Sequence, residues 1–313
     1  MAVIGIDLGT TNSLAGVWQD GKVVLIPNAF GEYFTPSVVG IGKNQEVFVG
    51  SVAKEMLATQ PYDTFREFKR NMGTNFLYGN GRKKYRAEEL SAFVLRRLKE
   101  DAEKFLGEEV TEAVISVPAY FDDNKRNATK NAGRLAGLKV ERLINEPSAV
   151  ALKHHTAEKG AESFIVFDFG GGTLDVSLVE AFDNVVEIQA VAGDNYLGGK
   201  DFNEIIAQDF YEQNQISEAY LTKNEQENVL KEAEAVKKEL TDKNEAERQV
   251  YIKGEAYTLK MTNQRLIHLS AELFSRMAKP IAKVINMVGI ELGTRQSHIG
   301  RWIVQNARGT AVY

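Results

Sequence analysis

No cysteine occurs among the 313 residues, which excludes disulfide frameworks, thiol nucleophiles and thiolate metal sites. Histidine is scarce too, at four residues. The one adjacent pair, His154 and His155, has no carboxylate at ligand spacing, so no metal is expected there. No uninterrupted apolar stretch approaches the roughly 18 residues that a membrane helix needs. The opening MAVIGIDLGTT has no basic leader and its apolar run is broken by Asp7, so it reads as neither signal peptide nor anchor. Lys and Arg are scattered through a chain of net charge −5 and form no basic stripe, which argues against a nucleic-acid partner. A cytoplasmic setting without membrane contact is the expectation.

The chain does have ample apolar content, 43%, at a length sufficient for two domains. It also has a repeat. VIGIDLGTTNSLAGV at 3–17 and IVFDFGGGTLDVSLV at 165–179 share one plan: an apolar run, Asp, one apolar residue, a turn of Gly and Thr, and a second apolar run. Each opens a β-patterned block. The first continues through runs at 14–18, 23–26 and 37–41, then a helix in AEELSAFVLRRLKEDAEKFLG with Leu90, Phe93, Val94 and Leu98 on one face. A strand EAVISVPAY, a polar helix DDNKRNATKNAGRLAGL, the run KVERLIN and a helix opened by Glu-Pro-Ser follow. HHTAEKGAES is the candidate linker. The second block leads through VVEIQAVAGDN into a charged helix, NEQENVLKEAEAVKKEL, and a long amphipathic stretch that Pro280 is expected to kink or divide. Trp18 and Trp302 are expected to be packing residues. The plan is a duplication at the scale of domains, not a short-period solenoid.

A tight turn of Gly and Thr between two strands exposes consecutive backbone N–H groups and lets a phosphate approach the chain closely. Asp7 and Asp168, each at the end of a first strand, can hold hydrated Mg²⁺ against phosphate oxygens. Two such hairpins facing each other would clamp a nucleoside triphosphate. Ordinary hairpin turns also favour Asp, Gly and Thr, but two matched copies favour the clamp. Rival phosphate motifs fail: GDNYLGGKDF is one residue too long for a P-loop and follows its Lys with Asp, and no G-x-G-x-x-G opens a helix after a strand.

With these motifs in order, the chain resembles the ATPase domain of the DnaK-type, seventy-kilodalton heat-shock chaperones. The resemblance rests on GIDLGTTNS, KRNMG, VISVPAYFDDNKRNATKNAGRLAGL, LINEPSAVAL, FDFGGGTLDVSLVE and GDNYLGGKDF and runs from about Val3 to Val288. LIPNAFGEYFTPS and the short stretch after KRNMG resemble the HscC branch. The resemblance implies an α/β actin-like ATPase fold of duplicated, ribonuclease-H-like lobes, at 1–158 and 159–313, with ATP or ADP and Mg²⁺ in the cleft and K⁺ as a further ion. It implies that Asp7, Asp168 and Asp175 serve the metal and its waters. Gly9, Thr10, Thr11 and Asn12 would wrap the phosphates from one lobe, and Gly170, Gly171, Gly172 and Thr173 from the other. Lys69 matches the catalytic lysine, which with Glu146, Asp7, Asp168, Thr10 and Thr173 makes up the catalytic set. Glu234, Lys237, Lys238 and Thr241 match the purine-contacting helix, and Gly198 with Gly199 would complete the wall beside phosphate and sugar. Pro118 and Arg126 match a proline switch and an arginine relay that couple nucleotide state to substrate release.

After Val288 the text GIELGTRQSHIGRWIVQNARGTAVY departs from that pattern, lacking the Gly-Gly strand that would close over the adenosine. A chain cut short, a short homologue, or a tail read out of frame each account for this, and the last is favoured. The second lobe is therefore expected to be incomplete over 289–313 and the peptide-binding domain absent. The function implied is ATP hydrolysis controlling the binding and release of unfolded polypeptides, with a J-domain co-chaperone and a nucleotide exchange factor as partners. An actin-like filament subunit and a sugar kinase on the same fold are the alternatives; VPAYFDDNKRNATKNAG and NEP favour the chaperone.

Overall fold

The computed structural model describes residues 2–79, 83–154, 162–182, 185–288, 299–306 and 309–312. Alternation of apolar residues begins the first sheet: Ile4, Ile6 and Leu8 of β1 (Ala2–Leu8) are buried on one face. β2 (Asn12–Gln19) and β3 (Lys22–Ile26) return antiparallel from it, and the two-residue β4 (Thr35–Pro36) pairs with the start of β2. A small sheet of β5 (Val38–Ile41), β6 (Val47–Val49) and β7 (Thr64–Arg66) follows, with α1 (Ser51–Thr59) inserted between its last two strands. α2 (Ala87–Leu106), ended by Gly107 at φ 70°, then carries the chain back to β8 (Val110–Val117), parallel to β1. α3 (Asp123–Leu135) crosses to β9 (Lys139–Asn145), parallel to β8, and α4 (Glu146–His154) leaves from its end.

The second repeat starts the second sheet the same way. β10 (Glu162–Phe169), β11 (Leu174–Phe182) and β12 (Val185–Asp194) form an antiparallel meander. α5 (Gly199–Gln213), α6 (Lys223–Glu239), the hairpin β13 (Glu245–Ile252) and β14 (Glu255–Thr262), α7 (Asn263–Leu269) and α8 (Ala271–Met287) come next. β15 (Ile299–Asn306) then lies parallel to β10, the place that β8 takes beside β1. From there the sheets differ. β16 (Gly309–Val312) turns straight back antiparallel to β15, whereas α3 and a parallel β9 follow β8.

One core joins β1, β2 and β8 to α2 and α3 through Leu8, Leu90, Leu95 and Ile115, all at 1% exposure or less. A second lies where α8 packs on β11 and β12 around Leu174, Leu178 and Val284, and a third joins α5, α6 and the β13–β14 hairpin. Two sequence expectations change. Trp18 is 69% exposed and packs no core, because it lies at the end of β2 among solvent-facing residues. The amphipathic stretch divides at Ser270, between α7 and α8, and Pro280 lies inside α8. Residues 155–161 of the candidate linker, His155 among them, and residues 289–298 of the tail lie outside the described residues, and nothing is described of the side chain of Trp302.

Candidate functional site

Both glycine turns are tied back from behind. In the first, Ser37 Oγ donates to the Gly9 carbonyl at 2.8 Å and the Ser37 N–H to the Thr11 carbonyl at 2.8 Å, while Ser13 and Ser37 share a hydroxyl bond of 2.9 Å. In the second, the N–H groups of Gly199 and Lys200, at the start of α5, donate to the carbonyls of Gly170 and Gly171 at 3.0 and 2.8 Å. In a planar trans peptide the C=O and the following N–H point in opposite directions. Binding the carbonyls on one side therefore presents the N–H groups of Thr10 and Gly171 on the other. A Cβ on Gly171 would run into the Thr11 side chain, and one on Gly198 into the backbone of Gly172. The two turns face each other at contact distance.

Between them opens a cavity of about 650 Å³, within the range of small-molecule sites. Asp7, Gly9, Thr10, Thr11, Asn12, Lys69, Pro118, Glu146, Asp168, Gly170, Gly171 and Thr173, all named from the sequence, line it. Lys69 Nζ and Glu146 Oε1 form a buried ion pair at 3.0 Å, and the ammonium also lies 5.6 Å from the Phe121 ring centroid. Asp7 accepts from Ser116 Oγ at 2.8 Å. Asp168 and Asp175 are direct cross-strand partners of β10 and β11.

One lysine thus stands among four carboxylates. Burial would lower the Lys69 pKa, yet Glu146, Asp7 and Asp175 together hold it above the ordinary lysine value. Burial raises Glu146 against the pull of Lys69. Burial, then Glu146, Asp175 and Asp7, lift Asp168 well above the carboxylate range, and burial with Glu146 lifts Asp175 to about 7. Asp175 Oδ1 is buried with no hydrogen-bond partner. Such crowding is relieved by a cation in the cavity, which Asp7 and Asp168 line and Asp175 does not. Among the described residues no group of three or more His, Asp or Glu converges to cage a metal alone. That donor set fits Mg²⁺, which keeps several waters and takes one or two carboxylates together with substrate phosphates.

Arg126 on α3 donates from Nε to the Phe121 carbonyl at 2.8 Å and from Nη2 to Asn145 Oδ1 at 2.7 Å. It therefore ties the loop after Pro118 to the residue that precedes Glu146. Gly198 and Gly199 brace the second turn from behind, and Gly172 packs against Gly198; none of the three lines the cavity.

The helix residues matched to the purine also lie outside that lining. Glu234 is held between Lys54 of α1 at 2.8 Å and Lys238 at 2.6 Å, bonds that overcome its burial and bring its pKa to about 2. Thr241 donates its N–H to the Lys238 carbonyl at 3.3 Å. Lys237 donates to the Gly199 carbonyl, and burial together with Lys238 and Lys54 lowers its pKa from 10.5 to about 8 despite Glu234. The folded state disfavours its charged form, a penalty complete below pH 8 that fades as pH rises toward 10.5. Lys237→Met is expected to stabilise the ligand-free protein by roughly 2 kcal/mol at pH 7, with the gain shrinking by pH 10. Thermal melts across that range measure it.

The site also contains residues that sequence reasoning passed over: Ser37, Ser116, Tyr120, Asn195, Tyr196 and Arg70. Arg70 stands inside the quoted KR and Ser116 two residues before Pro118, but nothing local marks either as part of a cavity. A family model described as Hsp70 protein matches the chain at residues 3–80 and 77–294.

Proposed function

The chain belongs to the Hsp70 family and carries a chaperone ATPase domain, and we propose that its cleft binds Mg-ATP and transfers the terminal phosphoryl group to water. The observation that carries this reading is the contact of two glycine turns over a buried Lys69–Glu146 pair. We read the two sheets as the duplicated lobes of an actin-like fold, 1–158 and 159–313, with β15 taking the place of β8 in the second. Unfolded polypeptide clients, a J-domain co-chaperone and a nucleotide exchange factor belong to the same reading, as does a cytoplasmic setting.

The chemistry is positioning plus electrostatics. N–H groups of Thr10 and Gly171 meet phosphate oxygens, with the hydroxyls of Thr10 and Thr173 beside them. Bound Mg²⁺ would neutralise phosphate charge, and Asp7, Asp168 and Asp175 would hold its waters. Lys69 directs the attacking water and offsets charge on the transferring group. The water oxygen bonds to phosphorus as the bond to the bridging oxygen breaks. ADP leaves with the electron pair, and the water proton passes to the phosphate or to Glu146, whose raised pKa suits acceptance. The test is phosphate release from ATP measured alone, with unfolded polypeptide, with a sugar and with EDTA. Release to water that stops with EDTA is expected; release requiring a sugar overturns the reading.

On the α6 side the cleft is bridged by three ion pairs: Lys54–Glu234 at 2.8 Å, Arg66–Glu227 at 2.9 Å and Lys231–Glu55 at 2.6 Å. Pairs this exposed contribute little each, about 0.5 kcal/mol, and weaken with salt. Arg66→Ala is expected to speed release of a fluorescent nucleotide about two- to threefold in stopped flow, with a smaller effect in high salt.

A further inference from the structure

The 3₁₀ turn Phe68–Asn71 that carries Lys69 also carries Arg70, to which the mechanism above gives no role. Its side chain is 12% exposed and spans the cleft. Nη1 pairs with Glu67 Oε2 at 2.8 Å, Nη2 donates to the Gly172 carbonyl, and the guanidinium carbon lies 5.4 Å from the Tyr196 ring centroid. A Cβ on Gly172 would lie 2.5 Å from Nη2, so only glycine admits this contact. A further donor, Nε, is buried with no acceptor. A guanidinium stays charged at every accessible pH, and a buried charged N–H without an acceptor is costly unless a ligand supplies one.

Arg70 lines the same cavity as Thr10, Gly171 and Thr173, so an oxyanion held by those turns would meet it. Glu67, which holds it, has φ 57°, a left-handed conformation uncommon outside glycine. The same carboxylate accepts from Lys200 Nζ of α5 at 2.9 Å. Strained residues of this kind persist where surroundings over-determine them and cluster at ligand clamps. Glu67 and Arg70 together fasten the Lys69 segment to both the second turn and α5.

We propose that Arg70 is a specificity-determining residue for the terminal phosphate, bonding an oxygen that a nucleoside triphosphate has and a diphosphate lacks while it holds Gly172 across the cleft. The inference rests on the nucleotide reading above. A planar fork with free donors suits phosphate oxygen, and charge-assisted bonds are the stronger kind.

The test is calorimetric titration of the full chain, Arg70→Ala and Arg70→Gln with a β,γ-imido ATP analogue and with ADP, both with Mg²⁺. The glutamine variant keeps two N–H donors and much of the length, so it serves even where alanine lowers the melting temperature. Triphosphate affinity is expected to fall at least about tenfold in both variants with ADP affinity within about twofold. An unchanged ratio, or equal loss for both nucleotides as bracing alone would give, overturns the proposal. An unmodified chain that binds both equally also overturns it and leaves the nucleotide reading standing, whereas one that binds neither brings down that reading and the proposal with it.

Discussion

Lys69→Ala is expected to slow ATP hydrolysis at least about a hundredfold while the protein still binds Mg-ATP. The ammonium is the one lysine among Asp7, Glu146, Asp168 and Asp175, 3.0 Å from Glu146, and it is raised in pKa by Glu146, Asp7 and Asp175 against the effect of burial. Removing it takes away the cation that directs the water and leaves Glu146 buried without its partner. Glu146 then takes up a proton more readily, since Lys69 is the group that lowers its pKa against burial. The variant is therefore expected to lose rate more than affinity, because the two turns that hold phosphate do not depend on Lys69. Single-turnover phosphate release alongside equilibrium binding separates the two. A parental hydrolysis rate would overturn the role given to Lys69.

Gly198→Ala is expected to have the second large effect, on the site and on stability together. The added Cβ would meet backbone atoms of Gly172 and Gly171, which no side-chain rotation can relieve. The second turn must move, and with it the bonds from Gly199 and Lys200 to its carbonyls. Overpacking of this kind destabilises by about 1–3 kcal/mol, and misaligned N–H donors would lower nucleotide affinity at least about tenfold. Gly107→Ala serves as the control. It sits at a helix end with open space around it, so the residue strains its own left-handed φ of 70° without touching the cavity. Chemical denaturation and nucleotide titration of both variants measure the difference. Equal nucleotide affinity in the two would remove Gly198 from the account.

Much of the site was legible because its chemistry is written locally and twice. Asp, then Gly and Thr, between two apolar runs specifies a strand, a tight turn and a strand wherever it occurs, and the repetition at Asp7 and Asp168 turns two common patterns into a pair. β1, β2, β10 and β11 lie where those runs placed them. Residues that act through distant contacts left no such mark. Ser37 serves the first turn from 28 positions away from Gly9, and Arg70 reaches Gly172 across 102. Each reads locally as an ordinary polar residue. Gly198 and Gly199 show the opposite case: glycine pairs beside a phosphate turn suggest a lining role, but the need for close backbone approach is met behind the turn. The break at Ser270 was missed because proline is the louder signal, although Pro280 fits within α8. The tail showed another limit. The family match ends at residue 294, yet residues 299–306 still pair with β10, since a run such as Ile299–Asn306 needs only β-compatible residues to extend a sheet.

The central claim is that one ligand is held by both turns at once. Calorimetric titration of Mg-ATP into the unmodified chain, Gly9→Ala and Gly171→Ala tests it most directly, because the added Cβ would strike the Asn12 backbone in the first turn and Thr11 across the cleft in the second. The account predicts one site per chain and a loss of at least about tenfold in affinity from either substitution. Binding that survives intact in one variant and fails in the other would mean that a single turn holds the nucleotide, and would contradict it.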